Sequence, residues 1–428
     1  MRVLLAAVAL AAVWGAHAQA PTNVLIHRYD GMGYQPCEPS IAVSPADPDI
    51  VVAGSILDNV YRSEDGGATW TRERLESPHG VFGDPCVVGS PTGDFYYLHL
   101  SDPSGKGWAD AGLLDRIVCQ RSKDGGERWS RGSHMGLNGA KDQDKEWADV
   151  SPSGDQIAAC WTQFDRYGST AAGDSSVILC ATSNRKARRW SQPVRVSAVA
   201  GDCRDGDETV EGAVPAFGPD GALHVVWARG EQLWYNRSRN GGRKWLEREV
   251  AVADIDGGWD REVPGIGRAN GMPITEVDCS DGAHRGRIYV NWTDLRNGDS
   301  DVWLCHSDDG GTTWSAAQRV NADNTATDQF FTWMAVDDVT GGVHIVYYDR
   351  SAVATGADVS TEVVVASSFD GGATWSHQTV SESPFVPGQA SFFGDYNNIS
   401  AHAGVVRPIW TREDRGVLSI WTALMQFD

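Results

Sequence analysis

Positive charge is scarce in this sequence. Its 36 Lys and Arg residues stand against 57 Asp and Glu residues, giving a formal net charge of −21 at pH 7. Such an excess of negative charge repels a phosphate backbone, so we expect no nucleic-acid partner. We also expect no basic region that would offset this charge locally.

Long apolar runs are absent beyond the first residues. Residues 3–13 are apolar, Met1 and Arg2 precede them, and Ala16-His17-Ala18 follows. This order is typical of a secretory signal peptide. No later run approaches the ~20 apolar residues of a membrane helix, and no Pro/Ser linker divides the chain. We therefore predict a signal peptide over 1–18, one domain over 19–428, a secreted or periplasmic location and no membrane partner.

Zinc-type cysteine spacing is also missing, because none of the eight cysteines forms a CxxC motif. An even number of cysteines in an exported chain favours disulfides. Cys86 with Cys119 and Cys160 with Cys180 are plausible pairs if each pair lies on neighbouring strands, and buried free thiols are the alternative. We expect no catalytic metal and no cofactor, with a structural calcium ion still possible.

The sequence does contain a repeat of eight residues with a Ser at its start and a Trp at its end. Four copies read Ser-x-Asp-Gly-Gly, Asn240 replaces the Asp in the fourth copy, and only the Ser and Trp survive in the third. Asp and Gly at these positions favour a tight turn. We call the six copies box segments; they span residues 63–70, 122–129, 183–190, 238–245, 307–314 and 368–375.

The box tryptophans recur every 55 to 69 residues, the length of one four-stranded propeller blade. Seven short apolar runs ending in a turn read as the inner strands of successive blades, and residues 23–28 supply a strand that could close the ring. We therefore predict an all-β propeller of seven four-stranded blades closed by the N-terminal strand, with six blades as the alternative.

The box segments resemble the Asp-box, or bacterial neuraminidase repeat, of the sialidase superfamily. This resemblance implies a tyrosine nucleophile activated by a glutamate, arginines on the substrate carboxylate and an aspartic acid/base. The matching residues here are Tyr396, Glu211, Arg296 and Asp84. The chain departs from sialidases near its N-terminus, where Cys37-Glu-Pro-Ser-Ile replaces their Phe/Tyr-Arg-Ile-Pro motif.

Acidic residues precede the predicted inner strands, on the face opposite the box segments. Carboxylates that crowd together raise one another's pKa, which can supply a protonated acid beside an ionised base, as glycosidic cleavage requires. Hydrogen bonding to loop backbone is the structural alternative for each. These candidates are Glu38, Asp84, Asp144, Glu146, Glu211 and Asp395.

Arginines recur just after the predicted second strands. A guanidinium group suits a carboxylate, so convergence of several would indicate a sialic- or uronic-acid substrate, whereas pairing with nearby acids would be structural. The candidates for substrate binding are Arg166, Arg296, Arg350 and Arg412, with Arg229 in the same series.

Together these features predict a secreted, sialidase-like glycoside hydrolase that cleaves an acidic glycan, with carbohydrate as its partner. The 18 tryptophans fit this interpretation, since sugar rings stack on indole. A non-catalytic glycan-binding propeller and a polysaccharide lyase acting on uronates are the alternatives. The sequence does not indicate an oligomeric state.

Overall fold

The fold was analysed in a computed structural model that describes residues 21–110, 112–353, 359–388 and 392–427. The predicted signal peptide lies outside these residues. Strand β1 is Thr22–Arg28, and the described chain continues as six four-stranded antiparallel sheets, one two-stranded hairpin and three further strands.

The first three sheets follow each other directly along the chain. Their strands are β2 Ser40–Val43, β3 Val51–Ser55, β4 Asn59–Ser63 and β5 Thr71–Arg74; β6 Cys86–Gly89, β7 Phe95–Leu100, β8 Ile117–Ser122 and β9 Ser133–Met135; and β10 Asp142–Val150, β11 Gln156–Phe164, β12 Ser176–Asn184 and β13 Val194–Arg195.

The hairpin, β18 Asp260–Val263 and β19 Ile266–Asn270, lies along the chain between the first and second of the next three sheets. Their strands are β14 Glu211–Phe217, β15 Leu223–Arg229, β16 Gln232–Ser238 and β17 Val250–Asp254; β20 Ile274–Val277, β21 Ile288–Asp294, β22 Asp301–Ser307 and β23 Gln318–Arg319; and β24 Gln329–Val336, β25 Val343–Asp349, β26 Glu362–Ser368 and β27 Ser376–Thr379.

The seventh sheet joins the two ends of the chain. It contains β28 Asn398–His402, β29 Val405–Asp414, β30 Val417–Gln426 and then β1, which pairs with β30 from Thr22 to Arg28. The first strands of the seven sheets contact one another in a closed ring, so each sheet is a blade. The predictions of seven blades and of closure by the N-terminal strand are confirmed, and the six-blade alternative is wrong.

Large aromatic side chains fill the space between blades. Trp161, Trp227, Trp292 and Trp410 occupy second strands and are at most 1% exposed. Both faces of an inner or second strand are covered by neighbouring blades, so these strands read as apolar runs without polar alternation. The fourth strands lie outermost, and β5, for example, is exposed throughout.

The box segments form the turns between third and fourth strands. In the first, Ser63 Oγ accepts from Gly67 N at 2.8 Å, Asp65 Oδ1 accepts from Thr69 N at 2.8 Å, and Trp70 Nε1 donates to Gly67 O. Gly66 and Gly67 have φ of +67° and +95°, which only glycine adopts easily. Strand direction places these turns at one end of the channel and the starts of the inner strands at the other. We call the latter end the mouth.

The cysteines fit one of the two suggested pairs. Cys160 lies directly opposite Cys180 on adjacent strands. Cys86 and Cys119 are on the first and third strands of their blade, with Leu98 paired between them, so the premise that they occupy neighbouring strands is wrong. All eight cysteines are thiols in this structure. Within the described residues, no helix has both the length and the apolarity needed to cross a membrane.

Candidate active site

One register position recurs at the mouth of every blade. It lies two residues before the first residue of regular inner-strand pairing, which is Ser40 in the first blade and Trp147 in the third. The seven residues at this position are Glu38, Asp84, Lys145, Gly212, Met272, Phe331 and Tyr396.

The backbone at this position is strained. Glu38, Asp84, Lys145 and Phe331 have φ between +47° and +53°, a region that costs a non-glycine residue on the order of 1 kcal/mol or more. Surrounding structure holds all four there. The same backbone conformation thus recurs around the mouth, and in the third, fourth and sixth blades it coincides with a register shift in the inner strand.

A buried ion pair crosses the mouth between the third and seventh blades. Lys145 Nζ lies 2.9 Å from Asp395 Oδ1 and 2.8 Å from Asp395 Oδ2, and the side chains are 7% and 1% exposed. A second cation reaches the same carboxylate, because Arg268 Nε lies 3.1 Å from Asp395 Oδ2. Asp395 is therefore held between two positive charges.

The mouth carboxylates differ in protonation state. Burial opposes ionisation of Asp395, but Lys145 and Arg268 outweigh it and lower its pKa to about 2. Burial, reinforced by the neighbouring Asp84, raises the pKa of Asp144 to about 8. Burial also raises the pKa of Asp84 itself, although Lys145 acts against this. At neutral pH an ionised carboxylate and a protonated one thus share the site.

Three buried glutamates complete the cluster. Burial, followed by the charges of Asp84 and Asp395, raises the pKa of Glu38 well above its usual range. Glu146 and Glu211 are 1% and 0% exposed, and neither has a hydrogen-bond partner for its carboxyl oxygens within the described residues. Burial raises the pKa of both well above the usual range. Burial therefore favours the protonated form of all three.

Tyr396 is buried next to this cluster, in an environment that favours its neutral phenol form. Its hydroxyl is buried and has no hydrogen-bond partner in the described chain, and its ring packs edge-on against Trp147 at 5.1 Å. Burial, with the charges of Asp84 and Glu38 next, raises its pKa well above the usual range. Asp395 and Glu146 act in the same direction with smaller effect, and the pairing of Tyr396 with Glu211 that the resemblance implies stays a prediction.

Aromatic rings close the channel below the mouth. Trp147 and Trp333 come from the third and sixth blades, and their ring centroids are 4.3 Å apart. Both line a cavity on the mouth side, with Tyr396 and Lys145, and also a cavity on the box side. The carboxylate cluster is thus separated from solvent at the other end of the channel.

The β18–β19 hairpin reaches across the mouth from its base between the fourth and fifth blades. Asn270 Nδ2 donates to Asp395 O at 2.8 Å, and Arg268 also pairs with Asp205 at 3.3 Å. At the hairpin tip, Gly265 approaches Gly388 so closely that a Cβ on Gly388 would lie 2.7 Å from Gly265 O. The hairpin therefore covers the carboxylates and brings an arginine to them.

The second-strand arginines do not join this cluster. Arg296 pairs with Asp294 at 2.9 Å and stacks on Trp303, Arg412 pairs with Asp414 at 2.9 Å, and Arg350 is buried beside Thr361 and Phe330. Arg166 is exposed. Each is held in its own part of the ring, so among the described residues the cations that contact the mouth carboxylates are Lys145 and Arg268.

Sequence reasoning brought Glu38, Asp84, Asp144, Glu146, Glu211, Asp395 and Tyr396 to one mouth, and it missed Lys145 and Arg268. A signal for Lys145 was present. Lys145, Glu38 and Asp84 each lie six residues before the Ser of a Ser-Pro turn, at Ser151, Ser44 and Ser90. Arg268 carries no comparable signal, since its hairpin belongs to no blade. Within the described part of the chain, no group of three or more His, Cys, Asp or Glu side chains is arranged to hold a metal ion.

No protein-family model matches the chain. Among solved structures, it is similar to the NanB sialidase of Streptococcus pneumoniae, with a TM-score of 0.52 and 10% identity over 80% of this chain and 68% of that one. The chain has the sialidase-type propeller fold. An α-L-arabinofuranosidase of Fusarium graminearum, Arb93A, gives 0.52 and 13% over 82% and 98%, and the phage phi92 endosialidase gives 0.51 and 12% over 96% and 69%. These neighbours are glycosidases by name, and at such identities they establish the fold alone.

Proposed function

We propose that this protein is an exported glycosidase that hydrolyses a glycosidic bond in an acidic glycan at the channel mouth. The observation that carries this proposal is the cluster of buried carboxyl groups around Lys145 and Arg268, in which Asp144 has a pKa of about 8 and Asp395, held by both cations, a pKa of about 2. Glycosidic cleavage uses one carboxylic acid and one carboxylate. The sialidase-type fold of the chain supports the same reaction class by analogy.

The residues divide into roles by charge. Asp144 would donate its proton to the leaving glycosidic oxygen, and ionised Asp395 would stabilise positive charge at the anomeric carbon. Tyr396, whose hydroxyl faces no partner, would be the nucleophile, with Asp84 accepting its proton. Water would then attack the anomeric carbon and displace the tyrosine oxygen, ionised Asp144 would take a proton from that water, and Asp84 would return its proton to the phenol oxygen.

The acidic nature of the substrate rests on Arg268. Its side chain remains 34% exposed while it contacts Asp205 and Asp395, so part of the guanidinium group is open to a ligand. A planar fork of N–H donors is suited to the carboxylate of a sialic or uronic acid. Export rests on residues 1–18 alone.

The test is incubation of the purified mature protein with sialylated, uronic-acid and neutral glycans, following reducing ends and absorbance of unsaturated products together. Asp144→Asn serves as the control for contaminating activity. New reducing ends from acidic glycans, absent in the variant, are expected. Unsaturated products would instead identify a lyase. Cleavage of neutral glycans alone would contradict the proposal that Arg268 binds a substrate carboxylate. Binding without products would identify a glycan-binding propeller.

Arg268 also gives a prediction that separates it from the other arginines. Arg268→Ala removes a cation from Asp395 and from the open side of the mouth, so kcat/KM should fall by roughly 100-fold or more. Arg296→Ala, which breaks the pair with Asp294 and the stacking on Trp303 away from the mouth, should change kcat/KM by less than about threefold. Equal losses in the two variants, measured under initial-rate conditions, would contradict the proposed site.

A further inference from the structure

The third box segment is basic, although the chain as a whole carries a formal charge of −21. Where other copies have Asp-Gly-Gly, this copy reads Ser183-Asn-Arg-Lys-Ala-Arg-Arg-Trp190. Arg185, Lys186, Arg188 and Arg189 are all exposed. The expectation that no local basic region offsets the acidic charge is therefore wrong for this segment.

This segment faces the box segment of the second blade across a groove of about 600 Å³. An adjoining groove continues along the same segment to Arg185 and Asp94. We call the two together the basic groove. Its cationic lining residues are Arg121, Lys123, Arg128, Arg131, Arg185, Lys186 and Arg188.

More cationic side chains than carboxylates line the groove. Its two carboxylates are already paired, Asp94 with Arg121 at 2.7 Å and Asp124 with Arg128 at 2.8 Å. Lys123, Arg131, Lys186 and Arg188 are exposed, and within the described residues none of them has a carboxylate close enough for an ion pair. Four like charges held together without counter-charges are unfavourable unless an anion binds there.

The turn that carries these cations is fixed even though it has lost Asp-Gly-Gly. Ala187 is buried with a φ of +46°, and Ser133 Oγ donates to its carbonyl oxygen. Trp190 Nε1 donates to Ser133 Oγ at 3.0 Å, and Tyr96 OH donates to Arg185 O at 2.6 Å. The second blade thus holds the third box segment in place, which reduces the entropy lost when a ligand binds.

We propose that the basic groove binds the chain of a carboxylated or sulfated polysaccharide. Lysine and arginine side chains bind such oxyanions, and the partly exposed ring of Trp129 in the groove offers a flat apolar surface to a sugar. Because the groove lies at the box end of the channel, it can hold a polymer while the mouth acts on another part of it.

Binding can be measured without any enzymatic reaction. Titration calorimetry at 50 mM NaCl would compare dextran sulfate and polygalacturonate oligomers with unmodified dextran, using the wild type and the variant Lys186→Glu/Arg188→Glu. Both anionic probes should bind and dextran should not. The variant should bind at least tenfold more weakly, with a shallower dependence of affinity on salt. Loss of hydrolysis at the mouth would not affect this result.

A matched control is available in the fourth box segment, where Arg243 and Lys244 are equally exposed. The variant Arg243→Glu/Lys244→Glu has the same change in net charge and should keep affinity within about twofold. The proposal is overturned if neither anionic probe binds, or if the two variants lose affinity equally. It is also overturned if single-stranded DNA of equal charge binds more tightly than both probes, or if light scattering shows self-association that only the groove variant abolishes.

Discussion

The two ends of the channel carry repeated acidic side chains in opposite circumstances. At the box end, Asp65, Asp309 and Asp370 each accept from a threonine hydroxyl and a backbone N–H four residues on. The Thr374 hydroxyl is the main reason that the pKa of Asp370 falls to about 2. At the mouth, the carboxyl groups of Glu146 and Glu211 are buried and have no hydrogen-bond partner in the part of the chain that the structure describes, and burial raises their pKa values.

Whether a carboxyl group has hydrogen-bond partners distinguishes structural from functional acids more clearly than the residue type does. A carboxylate whose acceptor sites are filled by its own turn stabilises that turn and has nothing left for a substrate. A buried carboxyl group without a partner costs about 1–3 kcal/mol, and natural proteins retain such groups where they serve binding or catalysis. Strained φ values at Glu38, Asp84 and Lys145 mark the same end of the channel.

The sharpest test of this contrast is Asp395→Asn. It would leave Lys145, which is 7% exposed, without its carboxylate partner. Removing one member of a buried ion pair typically costs about 3–5 kcal/mol. We expect the free energy of unfolding, measured with urea at pH 7, to fall by about that amount.

The double variant Lys145→Met/Asp395→Asn is the control, because it removes both charges of the Lys145–Asp395 pair and leaves Arg268 with its second partner, Asp205. It should recover at least half of the lost stability. A single variant as stable as the wild type would show that Lys145 has other partners, and the mouth would then resemble the box end in having its charges locally satisfied.

The pH dependence of stability gives the next test. The folded state holds the Asp144 proton up to about pH 8, whereas the unfolded chain releases it near its ordinary pKa of 3.8. The folded state therefore binds more protons between these values, and stability should fall as pH rises from about 4 to 8. Asp395 acts in the opposite sense, since its contribution is lost as pH falls from about 4 towards 2.

Asp144→Asn isolates the first effect. We expect the variant to be more stable than the wild type by about 2 kcal/mol at pH 9, to differ little at pH 4, and to have lost hydrolytic activity. Melting temperatures across this pH range would measure it. Parallel pH profiles for the two proteins would mean that Asp144 is not protonated in the folded state.

The fold was predictable from the sequence because its signals are local and repeated. Gly66-Gly67 and the following Trp70 specify a turn by their own chemistry, and six copies give the blade length. The mouth was predictable only in part. Asp84 and Asp395 could be placed at strand starts, but each bulge shifts the pleat, and a shift of one residue reverses the direction of a side chain.

Contacts between distant segments account for what was missed. Arg268 meets Asp395 through a hairpin outside the repeat, 127 residues away along the chain. The substrate-binding role predicted for Arg296 rested on its position in a blade, and pairing with a nearby acid, which proves to be Asp294, was the structural alternative. Position within a repeat therefore predicts where a side chain starts, whereas its partners depend on tertiary structure.

The smallest expected effect lies at the box end, where the intact and the degenerate copies can be compared directly. Ser307 Oγ donates to Asp309 at 2.9 Å and accepts from Gly311 N at 2.8 Å. Among the described residues, Ser183 Oγ has one partner, Arg189 O, to which it donates at 2.7 Å. Ser307→Ala should lower the free energy of unfolding by about 1–2 kcal/mol, and Ser183→Ala by about 1 kcal/mol or less. Neither should change kcat/KM, since both lie at the far end of the channel from the mouth. If Ser307→Ala is fully folded by circular dichroism but has lost activity, the two ends of the channel are coupled, and the conformation of the box turn affects the mouth.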